Sequence, residues 1–566
     1  MSRYFVQGEG EIHLGKADFK AQGGEGSIYV KGSTAYKIYS DPRRAIPQAK
    51  VLELSLLTQP NIIRPLDILL DGKKRPTGYS MRHIGNAFAL CQLFPKAFRQ
   101  RKNLTPETIF RLVGRLEEGV RHVHSKGILI VDLNEMNFLV SEDFSELFFI
   151  DVDSYQTPSF PATVLMESVR DRHASAFTAG SDWFSFAVVS FQMLVGIHPF
   201  KGSYPPLQNL PDKEKKLDAR MRSNISVLHA GVSVPASCLP FDLIPPAYLD
   251  WYKAVFEEGQ RLPPPASAQA ALALAAPTVE RYSGSHHFEI TELQEFDSEI
   301  IWHDGSITIT QQSIYFDGKK YPKPPFEVKA AVTPRMRHLV VAYMDGAEVR
   351  FRDLTAGQDF ANHVWAEEVS ACEGRFYLKQ KENLFEVEFL ELPRNSLSSV
   401  KLVGNVMMKS TRMFEGVAIQ NLLGAYYVSV FSSPGACYQV RLRELDGYQL
   451  IEARLYRHVL IIIGTKAGRY DKLIFRFAED FDGYDLRVTA DITLTSINFT
   501  VLDSGIVLHL TDEDELEIFS RLKDSTKMKV IGDPTLHSEV KLFHTGSQAL
   551  IARGSKLFKF RMRQSS

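Results

Sequence analysis

Apolar and polar positions change texture twice along the chain. Up to residue 84 the pattern is short and alternating: ADFKAQ (17–22), GSIYVKG (26–32), TAYKIYS (34–40), IIRPLDILLDG (62–72) and TGYSMRHI (77–84) each predict a strand. The period then lengthens. In TPETIFRLVGRLEEGVRHVHSKG (105–127), Ile109, Leu112, Val113, Leu116, Val120 and Val123 recur at three- and four-residue spacing. Thr105 is a natural N-cap there, Pro106 suits the first helical position, and Gly127 supplies a stop. A β-rich first lobe followed by an α-rich second one is therefore expected.

A composition break follows at 262–278, LPPPASAQAALALAAPT, which carries no charged side chain. It reads as a linker between domains, with a short docked Ala-rich helix as the alternative. Beyond it helical spacing becomes scarce. Seven paired runs, 306–318, 338–352, 375–389, 426–443, 458–477, 505–520 and 548–561, recur at intervals of about 40 residues. That period is the blade repeat of a β-propeller. No Trp-Asp or Gly-His signature accompanies it, and an irregular pair of β-sandwiches is the competing reading.

Composition narrows the function classes. The 566 residues hold 66 Lys+Arg against 67 Asp+Glu and are 44% hydrophobic, which excludes a disordered tail protein and a generally basic nucleic-acid binder. Four scattered cysteines form no metal or disulfide pattern and are expected to be reduced thiols in a cytoplasmic protein. The N-terminus has no secretory apolar core, and no apolar run is long enough for a membrane span. Arg99-Gln100-Arg101-Lys102 reads as a solvated loop.

The chemistry lies before the break. Ala21-Gln22-Gly23-Gly24-Glu25-Gly26-Ser27-Ile28-Tyr29 fits a glycine-rich phosphate loop, with Ala21 at the first glycine position and Ile28 at the valine. Lys37 follows on the next strand, and Glu53, in a helical segment, is the acid expected to hold it. Asp132 and Asn137 have D-x-x-x-x-N spacing, and Asp151 follows an apolar strand fourteen residues later.

This ordered set resembles the protein kinase family over residues 15–262. The resemblance implies a bilobal kinase fold, α+β, and the repeated β runs after it are expected to form an all-β, seven-bladed propeller. The expected domains are 1–262 and 285–566, with the linker at 263–284. It also implies ATP and Mg²⁺ as cofactors. Gly23, Gly24, Gly26, Ile28 and Lys37 would cradle the nucleotide, with Met81 as gatekeeper and Arg82 to Ile84 as hinge. Asp132 would take the acceptor proton, and Asn137 and Asp151 would hold the metal. SDWFSFAVVSFQMLVGIHPF (181–200) looks like the kinase helix αF and its exit, with Asp182 at the buried aspartate, and Arg261 fits the last subdomain.

Four departures qualify the resemblance. Ile130-Val131 replaces His-Arg before Asp132, so activity independent of activation-loop phosphorylation is expected. Asn134 stands where serine/threonine kinases carry a lysine. Asp151-Val152-Asp153 replaces Asp-Phe-Gly, with Asp153 either a third metal-facing carboxylate or, in preference, a turn residue; no clear Ala-Pro-Glu follows. The sequence reading is a Ser/Thr-directed protein kinase whose propeller recruits a protein substrate or regulator. A nucleotide-binding pseudokinase scaffold and, less favoured, a small-molecule phosphotransferase are the alternatives.

Overall fold

Seven antiparallel strands form the first sheet of this computed structural model, in the order β2-β1-β6-β7-β5-β4-β3. They are β1 (Ser2–Val6), β2 (Gly10–Leu14), β3 (Phe19–Gln22), β4 (Gly26–Lys31), β5 (Thr34–Tyr39), β6 (Ile68–Leu70) and β7 (Pro76–Arg82). The structure describes residues 2–7, 10–162, 166–207, 210, 213–236, 238–265, 288–360, 362, 364–391, 397–466, 468–481, 483–493, 496–523, 525, 528–537 and 539–562. From residue 266 onward the expected linker and its helical alternative lie outside the described residues. The hairpin β1/β2 joins the sheet through β6 and extends it beyond the stretch that carries the kinase resemblance. Helix α1 (Gln48–Leu54) packs Val51 against this sheet.

The α-rich lobe follows, built on α2 (Lys96–Arg101), α3 (Pro106–Ser125), the short strands β8 (Ala87–Ala89), β9 (Phe138–Ser141) and β10 (Leu147–Phe149), then α4 (Ala179–Val195), α5 (Lys213–Arg222) and α6 (Pro246–Phe256). Helix α3 starts and stops where the sequence pattern placed it, with the Thr105 hydroxyl accepting from the Thr108 N–H. Its six periodic apolar residues are all buried, each stabilising by roughly 1.5–3 kcal/mol. Helix α4 is buried on nearly every side, as its apolar composition requires of a core helix. It ends on Gly196 at φ +81°, where a Cβ would meet the Phe94 carbonyl at 2.9 Å.

The buried Asp182 of α4 organises the loop after α3. Its carboxylate accepts from the N–H groups of Ile130 (2.8 Å) and Val131 (2.9 Å) and pairs with His124 Nε2 (2.9 Å). Val131 is thereby held at φ +63°, a left-handed conformation that is costly for a β-branched residue. His198, just past α4, is buried between the Ser168 carbonyl and the Phe200 N–H. Burial, with Lys201 nearby, pushes its imidazole down to about 3.

The rest of the described chain is all β. Seven antiparallel sheets follow one another, six of four strands and one of five. The first is Ile300–His303, Ile307–Thr310, Ser313–Phe316 and Lys319–Pro322. In the seventh, Lys541–Thr545, Gln548–Arg553 and Lys556–Met562 are completed by Phe288–Glu295, the first strand of the region. Each of the seven runs marked in the sequence lies in its own sheet. Six of them supply the second and third strands, but 426–443 supplies the third and fourth, because Val417–Leu422 is the second strand there. Separate apolar clusters join neighbouring sheets. One around Phe296, Ile300, Phe543 and Leu550 joins the seventh to the first.

The basic run is not the solvated loop that its charge suggested. It lies in and just after α2, against the β region. Arg101 pairs with Glu452 at 2.8 Å, Lys102 with Glu327 at 2.9 Å, and Gln100 donates to Glu299 at 2.6 Å. Arg99 is buried and donates to the carbonyls of Leu93, Met193 and Leu194. Glu299, Glu327 and Glu452 of the β region supply the complement that the sequence pattern could not show. Among the described residues no helix is long and apolar enough to cross a membrane.

Two stability measurements check this account. Replacing Asp182 with Ala leaves two buried N–H groups without their acceptor, and should cost about 2–5 kcal/mol in urea unfolding. His198 binds its proton more readily unfolded, at its ordinary value near 6.5, than folded. Its contribution is therefore complete above pH 6.5 and falls by up to about 1.4 kcal/mol per pH unit as the pH drops from there toward about 3. His198→Asn should flatten that slope.

Candidate functional site

Lys37 is the centre of the site. Alternation along β5 turns Ala35, Lys37 and Tyr39 to one face, and the β5/β7 register sets Tyr79 opposite Lys37. Gly78 permits the close strand contact, since a Cβ there would lie 2.0 Å from the Lys37 carbonyl oxygen. The buried ammonium meets three carboxylates: Asp151 at 2.6 Å, Asp153 at 2.8 Å and Glu25 at 3.2 Å. Their ligand atoms lie within 4.8 Å of one another.

The expected Lys37–Glu53 pair is not formed. Helix α1 puts Val51 and Leu54 into the core and buries Lys50 beside the acid cluster, which leaves Glu53 at the edge of that face. There Glu53 accepts from the Ser159 N–H. Asp153 takes the lysine instead. Val152–Ser154 is a short 3-10 turn, as the preferred reading of Asp153 had it, but that turn aims the Asp153 side chain inward, where it is buried. Tyr39 and Tyr79 each donate a hydroxyl to it at 2.6 Å.

Electrostatics follow from this geometry. Burial alone would raise the Asp153 carboxyl, but Lys37 and the two tyrosine hydroxyls outweigh it and hold the group below its usual range. Burial and then the Asp153 charge raise both tyrosines, which stay protonated donors. Burial also raises Asp151, to about 6, against the pull of Lys37. Asp151 sits in the left-handed region at φ +59°.

Asp132 and Asn137 assemble beside this knot. Asn137 donates its amide to the Asp132 carbonyl (2.9 Å) and carboxylate (3.2 Å). The other Asp132 oxygen accepts from the Met166 N–H at 2.6 Å, and burial raises this carboxyl. Asn134 is buried and holds the loop through the Met136 N–H at 2.8 Å. Arg261 pairs with the buried Asp171 at 2.5 and 2.7 Å.

The glycines divide by role. A Cβ on Gly26 would lie 2.3 Å from the Ile38 carbonyl oxygen, so this glycine serves strand packing, whereas Gly24 faces open space and Gly23 nearly so. Ile28 pairs with Lys37 across β4 and β5. Met81 pairs with Ala35 on β7. At the strand end, Arg82 donates its guanidinium to the Pro60 carbonyl, and the His83 N–H is taken by Ser33; Ile84 follows, half-buried. Tyr39, Tyr79, Glu25 and Asp171 were missed, and Asp153 was considered only as a metal-facing carboxylate or a turn residue, not as the partner of Lys37. Tyr39 alone had a signal, its two-residue offset from Lys37.

The β region reaches the Asp132–Asn137 loop directly. The Tyr470 hydroxyl donates to Glu135 at 2.7 Å, and a Cβ on Gly468 would lie 2.8 Å from the Met166 side chain. It also touches the first lobe, where Lys409 donates to the Val30 carbonyl.

No family model matches the chain. It is 29% identical over 220 residues to the serine/threonine-protein kinase atg1 of Dictyostelium discoideum, covering 35% of this chain and 32% of that protein. It is 26% identical over 196 residues to Tribbles homolog 3 of Rattus norvegicus, covering 32% and 51% respectively. The chain thus spans a third and a half of these relatives' own lengths. Among solved structures, the Cydia pomonella granulovirus kinase PK-1 aligns at 14% identity and TM-score 0.32, over 43% of this chain and 88% of its own. A twitchin kinase fragment from C. elegans aligns at 14% identity and TM-score 0.35, over 46% and 55%. With the lysine, the D-x-x-x-x-N loop and the Asp182 anchor in place, roughly the first 45% of the chain is a distant serine/threonine kinase-like domain, followed by an all-β region of mostly four-stranded sheets.

Proposed function

We propose that the chain is an ATP- and Mg²⁺-dependent protein kinase transferring the γ-phosphoryl group to Ser or Thr hydroxyls. The observation that carries this is the convergence of Lys37 with Asp151, 2.6 Å apart, beside an Asp132–Asn137 loop pinned by Asp182. Asp132 orients the acceptor hydroxyl and takes its proton. Lys37 offers its charge to the phosphates. The Asn137 amide nitrogen is engaged by Asp132, which leaves its oxygen, with the Asp151 carboxylate, as the hard donor set that suits Mg²⁺. When bound, the metal neutralises charge on the phosphates. Gly23 and Gly24 leave the loop tip clear, and Met81, Arg82 and Ile84 line the adenine end. Glu53 is left out of this machinery.

The β region is proposed to be a seven-bladed propeller, supported by its seven sheets and by the first strand completing the last sheet. One side of it is taken up by α2 and the catalytic loop of its own chain. Recruitment of a protein substrate or regulator is therefore assigned to the opposite side. A cytoplasmic location fits the four free cysteines.

A nucleotide-binding scaffold without transfer is the second reading. The Met166 N–H on Asp132 favours it, because that bond occupies the oxygen an acceptor hydroxyl would approach. The lack of a cation at Asn134 points the same way.

Incubation of the whole protein with γ-labelled ATP, Mg²⁺ and protein acceptors separates the two readings. Transfer is expected, reduced at least about 100-fold by Asp132→Ala and by Asp151→Ala. Nucleotide binding without label on any acceptor would establish the scaffold. Phosphatase treatment beforehand should leave the rate unchanged, since Val131 stands where an arginine would read a phosphorylated loop.

A further inference from the structure

We propose that Asp153 is the positioning residue for Lys37, the role that an acid on helix α1 was expected to fill. The inference rests on the nucleotide-binding reading above and names a residue which that reading does not require. Three features support it. Asp153 touches the Lys37 ammonium with both oxygens, at 2.8 and 3.0 Å, whereas Glu53 hydrogen-bonds elsewhere. Its remaining acceptor capacity is met by Tyr39 and Tyr79, so the carboxylate is fully satisfied in a buried place where an unsatisfied one would be prohibitive. Both tyrosines come from strands of the same sheet as Lys37, and the Lys37 ammonium also lies 5.3 Å from the Tyr39 ring centre and 5.9 Å from that of Tyr79.

The arrangement divides the labour between two acids two residues apart. Asp151, half-buried and in a left-handed conformation, keeps part of its carboxylate exposed and can release Lys37 when another cation competes for it. Asp153, on the far side of the 3-10 turn, has no such freedom: it is clamped by two hydroxyls and a lysine. The lysine's position is thus fixed by the turn after β10 and by the sheet. Swinging α1 is not needed to assemble it.

The test uses the full chain and the variants Asp153→Asn, Asp153→Glu and Glu53→Gln, with kcat and KM for ATP read separately and a fluorescent ATP analogue for binding. Asp153→Asn should lower kcat/KM for ATP about 100-fold, the size of effect expected from misplacing a catalytic group. Asp153→Glu should recover most of it, and the acceptor KM should not move. If Glu53→Gln costs as much as Asp153→Asn, or more, the proposal is overturned. A wild type that binds the analogue without transferring phosphate would end the kinase reading alone, and the same ranking in binding constants would still decide the anchor. A wild type that binds no nucleotide would end the nucleotide reading, and with it the positioning role, even if urea unfolding of Lys37→Met, Asp153→Asn and the double variant showed the pair to be coupled.

Discussion

A buried lysine cannot stay charged without compensation, and in this protein that constraint organises the centre of the kinase-like domain. Lys37 is nearly inaccessible, and three carboxylates from two separate chain segments converge on it. The ion pairs tie the strand after the glycine loop to the turn after β10, and so tie one lobe to the other. Breaking one partner of such a set leaves the remaining charges uncompensated, which costs more than the pair contributes on balance. The two tyrosines belong to the same constraint: without their hydroxyls Asp153 would be a buried carboxylate with too few donors.

A second anchor works in the same way at the back of the catalytic loop. Asp182 rises from a helix buried on nearly every side, so its position is set by packing, and it hands that precision to Ile130 and Val131 through their N–H groups. The unfavourable φ of Val131 persists because this pair of hydrogen bonds and the surrounding core determine it. Neither the arginine that usually precedes the catalytic aspartate nor an Ala-Pro-Glu glutamate is present. Arg261 pairs with Asp171 through two of its guanidinium nitrogens.

The β region is attached by charge complementarity as well as by apolar contact. Arg101 and Lys102 meet Glu452 and Glu327, while Ile451, Ile463 and Ile492 join the main core of the kinase-like domain. Tyr470 and Gly468 then bring this region up to Glu135 and Met166, next to Asp132. The two parts of the chain therefore meet beside the Asp132–Asn137 loop.

Local pattern was enough for much of this. The period of α3, the all-round apolar character of α4, the repeated β runs and the spacing of Lys37, Asp132, Asn137 and Asp151 are properties of neighbouring residues, and they determined the elements and the order of the candidate site. Tertiary structure decided what depends on distance across the chain. Whether Lys37 meets Glu53 or Asp153 turns on the rotation of a seven-residue helix and on strand register. Whether a basic run is solvated turns on carboxylates hundreds of residues away, because charges find partners through space and the sequence records only their order.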